Sequence, residues 1–230
     1  KLSDLCISME TTGLPERLTI PHEVKLSEKA AAMYQQLERT MLLPFADGDV
    51  DAATAAILTN KLLQLAGGAV YDENGKAQIV HNQKLEVLDQ LIEEANGQPV
   101  LVFYNYKHEL DRLQARYPQA VHVKEENVVK RWNAKEIPIL LANPASAGHG
   151  LNLQFGGHIA IWYSPTWNLE FFQQANKRLH RRGQAETVLI HTLSAKGTID
   201  ERIYDIVLRN KEAGQNALLE AVKARIKEVT

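Results

Sequence analysis

Five short apolar runs, each separated from the next by a segment of helical periodicity, constrain the fold of this 230-residue chain more than any other feature. The runs lack the polar alternation of a strand with one solvated face, so each predicts a strand buried on both faces. Strands of this kind that alternate with helices form a parallel sheet covered on both sides, a doubly wound α/β domain. The runs are PVLVFY (99–104), AVHV (120–123), IPILLA (137–142), HIAIWY (158–163) and TVLIHT (187–192).

The 83 residues ahead of this domain, which we place at residues 84–230, are predicted to form a lead-in, a helical segment and a hairpin. Prolines without sustained periodicity predict an extended lead-in, whereas apolar residues at helical spacing predict helices. The hairpin turn is predicted at Asn74-Gly75, because both residue types tolerate positive φ. The other predicted elements are a strand near 18–20, a helix from Ser27 that ends before Pro44, a helix over 51–66, a helix from Thr198 with Glu201 as its capping-box partner, and a last helix near 218–226.

Composition restricts the partners and the compartment that we expect. The 26 Lys and Arg against 28 Asp and Glu give a net charge of −2, so nucleic acid would have to bind at a local patch. The single cysteine, Cys6, excludes an internal disulfide and multi-cysteine zinc sites, and no histidine pair has helical metal-site spacing, so no metal site is predicted. No apolar run approaches the roughly 18 residues of a membrane span, so we expect a cytoplasmic protein without a membrane partner. A start at Lys1 rather than Met predicts a piece of a longer protein.

The segment QANKRLHRRGQ (174–184) carries the strongest chemical pattern in the sequence. It lies near the end of a helix predicted over 168–180, where Arg178 and Arg181 would project from one face because they are three residues apart. Two guanidinium groups placed in this way could bond to one phosphate group and stabilise the charge that develops on it during transfer. The alternative is a solvated basic helix end that is stabilised by the helix dipole.

A glycine-containing loop, ASAGHGLNL (145–153), follows the third of the predicted strands. Gly148 and Gly150 would allow backbone N–H groups to approach a phosphate closely, and the start of a helix favours an anion. The alternative is a turn that only reverses the chain. A dinucleotide fingerprint is disfavoured because Leu153 occupies the position of its third glycine, so a nucleotide-cofactor oxidoreductase is the last of the functions considered.

These two segments resemble the fifth and sixth motifs of the superfamily-two helicases, and the His-Arg pair that ends in Gly-Gln is most similar to the Snf-type branch. Weaker matches keep the family's order over roughly residues 50–225. VLVFYN (100–105) with KHEL resembles the fourth motif, HNQK (81–84) resembles the entry to the lobe, and SPTWN (164–168) lies where the family has an aspartate and a Trp-Asn-Pro turn. The chain departs from the family pattern at Ser164, Leu169, Lys177 and Arg182, and these substitutions as a set resemble the phage-type subgroup.

The resemblance implies a RecA-like doubly wound parallel sheet with an N-terminal helical extension and C-terminal helices. It implies the second motor lobe of a nucleic-acid-dependent ATPase, either a helicase or a DNA translocase. In such a lobe the arginines act as fingers on the γ-phosphate, and the glycine loop touches the nucleotide and the nucleic-acid backbone. The residues carried over are Arg178 and Arg181 as catalytic; Gln174, Gly148, Gly150 and Asn152 as ATP-binding; and Ser146, His149, Lys107 and Trp167 as nucleic-acid-binding.

A complete ATPase of this class also needs a phosphate loop with Gly-Lys-Ser/Thr and an acidic magnesium-binding motif. The Gly75-Lys76 pair is followed by Ala77, and Asp72-Glu73 enters a turn, so neither provides one. We therefore expect ATP and Mg²⁺ at a site that an N-terminal RecA-like lobe completes, with double-stranded DNA as the polymer and no nucleotide bound by this chain alone. The alternative is a non-enzymatic interaction module that keeps the fold. The choices between unwinding and translocation and between DNA and RNA stay open.

Overall fold

The structure, a computed structural model, describes residues 14–42, 44, 51–147, 150–208 and 223–224. A six-stranded sheet, in which every neighbouring pair of strands is parallel, forms its centre. This arrangement confirms the parallel sheet that the apolar runs predict. The strands are β1 (Arg17–Val24), β4 (Val100–Phe103), β5 (Val121–His122), β6 (Ile139–Ala142), β7 (Ile159–Trp162) and β8 (Val188–Ala195), in the spatial order β1-β8-β7-β4-β6-β5; a separate antiparallel hairpin consists of β2 (Ala69–Tyr71) and β3 (Ala77–Ile79).

The helices occupy the segments between the apolar runs, as predicted, and cover both faces of the sheet. Asp51 caps α2 by accepting a hydrogen bond from the backbone N–H of Thr54 (2.7 Å), which explains where that helix begins. The helices are α1 (Glu28–Leu42), α2 (Ala52–Ala66), α3 (Gln83–Glu94), α4 (Lys107–Arg116), α5 (Val128–Asn133), α6 (Pro144–Ala147), α7 (Leu169–Asn176) and α8 (Ile199–Leu208). Within the described residues, no helix is both long and apolar enough to cross a membrane.

Alternate residues of one central strand show why the predicted strands lack polar positions. Leu101 and Phe103 of β4 join a core cluster with α5 and α7, whereas Val100 and Val102 join a second cluster with α3 and α4. Both faces of the strand are therefore buried from solvent. A third cluster, built by α1, α2 and α8, packs the helical N-terminal segment against the end of the sheet.

The first strand is longer than the sequence predicts and belongs to the main sheet. β1 has eight residues instead of three, and it pairs with β8 from Arg17 opposite Val188 to Val24 opposite Ala195. Pro21 argues against a central strand but is compatible with an edge strand, whose outer N–H groups have no neighbour. The chain ahead of residue 84 thus contributes a strand to the sheet of the following domain.

Two features predicted from the sequence, the hairpin turn and the start of the helix near Thr198, are each stabilised by an aspartate in the structure. Asp72 accepts hydrogen bonds from the N–H groups of Asn74 and Lys76, both at 2.9 Å, so this acidic residue shapes the hairpin turn. At the start of α8, the carboxylate that bonds back to the preceding strand belongs to Asp200, which accepts from the N–H of Ala195 (3.0 Å), rather than to the predicted Glu201. The predicted helix near 218–226 lies outside the described residues, apart from 223–224.

Candidate functional site

Three loops meet at the carboxyl end of the sheet because β7, β4 and β6 are parallel neighbours. The side-chain amide of Asn105 donates to the carbonyls of Ser164 (3.2 Å) and Pro165 (2.7 Å). The amide of Asn143 donates to the carbonyls of Tyr104 (3.3 Å) and Asn105 (3.1 Å). Two asparagines therefore hold the loops after the three strands in one fixed arrangement.

These loops surround a cleft of about 190 Å³, which we call the carboxyl-edge cleft; its lining includes Asn60, Tyr106, Asn143, Trp167 and Phe171. Trp167, predicted to bind nucleic acid, forms part of this wall and packs against the third core cluster. Packing of this kind fixes the direction of the indole and leaves only part of it accessible.

Two further residues predicted to bind nucleic acid lie close to the carboxyl-edge cleft. Lys107 begins α4 directly after Tyr106, and its exposed ammonium group pairs with Asp111 at 2.8 Å, a hydrogen bond that raises the pKa of Lys107. Ser146 lies in the short helix α6, next to the lining residue Ala145. His149 lies outside the described residues, so its assignment stays a prediction.

The predicted placement of the arginines on a helix is wrong. α7 ends at Asn176, four residues earlier than expected, and residues 177–184 form a series of tight turns, which we call the arginine turn. The side chain of Asn176 accepts a hydrogen bond from the indole of Trp162 (3.0 Å), and Gly183 has a φ of +93°, a conformation that a helix excludes. Arg178 and Arg181 therefore project from a turn and share no helix face.

The arginine turn nonetheless brings predicted site residues together. One Nη group of Arg181 donates to the side-chain oxygen of Asn152, which belongs to the glycine loop. Arg178 is partly buried; burial and then the charge of Arg181 lower the pKa of Arg178. Two cations near each other, one of them partly removed from water, create a surface where a bound anion is favourable.

The other predicted ATP-binding residues have mixed placements. Gly150 is exposed and has a φ of +64°, the left-handed conformation that glycine adopts without strain. Gln174 lies on α7 and donates to Glu170 at 2.7 Å, so it points along its own helix rather than to the arginines. Gly148 lies outside the described residues. Among the described residues, no three His, Cys, Asp or Glu side chains form a group that could hold a metal ion.

Sequence reasoning missed the polar residues that support the carboxyl-edge cleft. Glu109 is fully buried, and its carboxylate accepts a hydrogen bond from the hydroxyl of Ser164 at 2.5 Å. An aspartate in place of Ser164 would set a second carboxylate against that of Glu109, which two like charges disfavour. The spacing of Glu109, three residues after Tyr106, is that of a helix-capping glutamate and could have indicated an inward role.

Comparisons with known proteins identify a family model and relatives that this chain resembles. Residues 83–183 match the family model described as the helicase conserved C-terminal domain. Protein p41 of Acyrthosiphon pisum secondary endosymbiont phage 1 is 37% identical over 235 residues, which cover 97% of this chain and 51% of the phage protein. The chromatin-remodeling ATPase INO80 of Mycosarcoma maydis is 32% identical over 170 residues, which cover 66% of this chain and 9% of that protein. The chain thus spans about half or less of the length of these relatives.

Two solved structures share the fold. The C-terminal part of the Fun30 ATPase domain superimposes with a TM-score of 0.71 at 17% identity, covering 94% of this chain and 99% of that one. The SWI2/SNF2 ATPase core of Sulfolobus solfataricus in complex with dsDNA gives a TM-score of 0.64 at 20% identity, covering 93% of this chain and 48% of that one. At these identities the likeness shows a common RecA-like α/β fold.

Proposed function

This chain belongs to the Snf-type branch of the superfamily-two helicases, as a C-terminal RecA-like lobe, and we propose that it is the second lobe of an ATP-driven motor acting on double-stranded DNA. The observation that carries the proposal is the contact between Arg181 and Asn152, which joins the arginine turn to the glycine loop beside a second guanidinium group. Guanidinium groups and loop N–H groups are suited to the oxygens of a phosphate.

We assign Arg178 and Arg181 to the stabilisation of charge on the γ-phosphate during its transfer. The bond to Asn152 uses one of the five N–H donors of Arg181, whose side chain is exposed. A donor that meets the phosphate only when the site closes acts mainly on the transition state and therefore on turnover. Gln174, Gly148, Gly150 and Asn152 are proposed to contact ATP, which requires Gln174 to leave Glu170.

The rest of the ATP site is assigned to another lobe. Mg²⁺ on ATP neutralises charge on the phosphates during transfer, and its usual protein ligands are oxygen atoms of acidic and hydroxyl side chains. The described residues contain no suitable group of acidic ligands, so an N-terminal RecA-like lobe is proposed to supply them together with the phosphate loop. On this proposal, the present chain alone does not hydrolyse ATP.

The carboxyl-edge cleft is proposed to face the DNA backbone. Lys107 provides an exposed cation beside the cleft, Trp167 provides an aromatic wall, and Ser146 provides a hydroxyl from α6. His149 joins this set on the resemblance alone. Because the whole chain has a net charge of −2, binding depends on this local arrangement and on the lobe that faces it.

Steady-state ATP turnover, measured with and without double-stranded DNA, tests the proposal in the full two-lobe protein. We expect DNA to stimulate turnover by the full protein, stimulation to weaken as salt rises, and no turnover by the present chain. A full protein that binds DNA without stimulated turnover would instead support the interaction module that only keeps the fold.

A further inference from the structure

A single buried carboxylate joins the two turns that border the carboxyl-edge cleft. One oxygen of Glu109 accepts hydrogen bonds from the N–H groups of Asn105 (2.8 Å) and Tyr106 (3.2 Å), in the turn after β4. The other oxygen accepts from the hydroxyl of Ser164 (2.5 Å), in the turn after β7. Glu109 thus connects segments that lie 55 residues apart in the chain.

The end of α2 is fitted to the same carboxylate. A Cβ atom placed on Gly67 would overlap Oε1 of Glu109, so a larger residue there would have to displace this carboxylate. The carbonyl of Gly67 accepts hydrogen bonds from Arg112 (2.7 Å) and from the hydroxyl of Tyr163 (3.1 Å). Three segments of the chain therefore converge on the Glu109 side chain.

Burial opposes the charge of Glu109, and the polar neighbours offset only part of that effect. Burial raises the pKa of Glu109, while the hydrogen bonds from Ser164 and Asn105 and the nearby charge of Lys84 act in the opposite direction. Lys84 itself forms an ion pair with Asp200 at 2.5 Å, and both of these side chains are fully buried. Glu109 accepts three hydrogen bonds, and a buried carboxylate without such bonds would cost a large amount of folding free energy. The three donors therefore hold this side chain in one position.

We infer that Glu109 is a positioning residue for DNA binding: it fixes the turns that carry Lys107 and Trp167, and therefore their spacing across the carboxyl-edge cleft. Lys107 directly follows Asn105 and Tyr106, whose N–H groups donate hydrogen bonds to Glu109. Trp167 lies three residues after Ser164, whose hydroxyl donates to the same carboxylate. Glu109 does not reach the surface, so it acts through these neighbours. This inference rests on the proposed function of the cleft.

The test compares Glu109→Ala, Glu109→Gln and Glu93→Ala in the full two-lobe protein. Alanine leaves two N–H groups and a hydroxyl without their acceptor, whereas glutamine keeps an acceptor for the N–H groups and can donate to Ser164. Glu93 is an exposed carboxylate on α3 and serves as the matched control.

We expect Glu109→Ala to raise the DNA concentration for half-maximal ATPase stimulation roughly tenfold or more, with the KM for ATP within about twofold. Glu109→Gln should stay within about threefold, and Glu93→Ala should resemble the wild type.

One further measurement and one substitute variant ensure that the inference can be tested even if Glu109→Ala does not fold. Hydrogen exchange of the Asn105 and Tyr106 amides should be faster in Glu109→Ala than in the wild type, and it can be measured in the absence of DNA. If Glu109→Ala does not fold, Ser164→Ala replaces it, because that change removes one of the three hydrogen bonds and should give a smaller shift in the same direction.

Each outcome decides between the inference and its premise. An unchanged half-maximal DNA concentration in folded Glu109→Ala, or a loss in Glu109→Gln as large as in Glu109→Ala, overturns the inference. A wild-type protein that DNA does not stimulate refutes the proposed function instead. In that case the amide exchange of Asn105 and Tyr106 alone decides whether Glu109 fixes the turn, and unchanged exchange overturns it.

Discussion

The carboxyl-edge cleft and the arginine turn, although both belong to the candidate site, are built in opposite ways. The cleft is framed by the amides of Asn105 and Asn143 and by the buried carboxylate of Glu109. The arginine turn presents an exposed Arg181 whose side chain is held by Asn152, itself on the protein surface. The first region is a preformed surface, whereas on the proposed function Arg181 completes its contacts only when a partner lobe closes on it. Mutations should therefore affect stability and DNA binding in the cleft region and turnover in the arginine turn.

The largest expected effect is on turnover in the arginine turn. Arg181→Ala in the full two-lobe protein should lower DNA-stimulated ATP turnover about 10³-fold or more, the range of arginine fingers in other nucleotidases. ATP binding should be largely kept, and the free energy of unfolding should change by no more than about 0.5 kcal/mol because the side chain is exposed. Turnover, nucleotide affinity and urea denaturation measure the three quantities. Near-normal stimulated turnover would remove Arg181 from the catalytic assignment.

The second effect is on stability, close to the carboxyl-edge cleft. Lys84→Met leaves the buried carboxylate of Asp200 without its partner, which should cost about 3–5 kcal/mol in the free energy of unfolding. Urea denaturation of the present chain measures this loss. The double variant Lys84→Met/Asp200→Asn is the control, because asparagine keeps an acceptor for the N–H of Ala195 while removing the charge. If the double variant is no more stable than Lys84→Met, the loss comes from packing rather than from an unpaired charge.

A third, smaller effect concerns the dependence of stability on pH. Burial lowers the pKa of His81 and of His108 from 6.5 to about 4. The unfolded chain therefore takes up protons below about pH 6.5 that the folded chain does not, so stability is complete above this pH and falls as the pH drops towards 4. At pH 5 the loss should be roughly 1–2 kcal/mol for each histidine. Urea midpoints at pH 7.5 and pH 5 measure it, and His81→Gln should reduce the difference; an unchanged difference would place the titration elsewhere.

The same contrast explains how much could be predicted from the sequence. β4, β6 and β7 were predictable because local apolar runs determine strands that are buried on both faces. β1 was predicted too short, because the Pro21 position reflects its place at the sheet edge rather than a local preference. α7 ends at Asn176, but Leu179 continues the apolar pattern past it as a buried residue of the turn, so the pattern predicts a longer helix.

The site residues divide in the same way. Arg181 could be named from the sequence because a guanidinium group suits phosphate chemistry, and Asn152 because its segment resembles a family motif. The structure places the two side chains in contact. Glu109 and Ser164 could not be paired from the sequence, since 55 residues separate them and only the sheet topology brings their loops together. Chemistry at a surface is therefore easier to predict than the buried polar contacts that support it.

The smallest expected effect distinguishes an arginine finger from a general positive patch. Arg182 is exposed, as Arg181 is, so Arg182→Ala removes the same charge from the next residue of the arginine turn. If the turn attracted phosphate through net charge alone, the two alanine variants would lose similar amounts of turnover, and added salt would reduce the difference from the wild type. If a directed guanidinium is required, only Arg181 should matter, because its Nη group is the one that Asn152 holds.

We expect Arg182→Ala to keep turnover within about threefold and Arg182→Lys to be nearly neutral, with unfolding free energies within about 0.5 kcal/mol of the wild type. Stimulated turnover at low and moderate salt for the three variants measures the comparison, and a loss in Arg182→Ala equal to that in Arg181→Ala would show that charge, rather than position, is what the arginine turn provides.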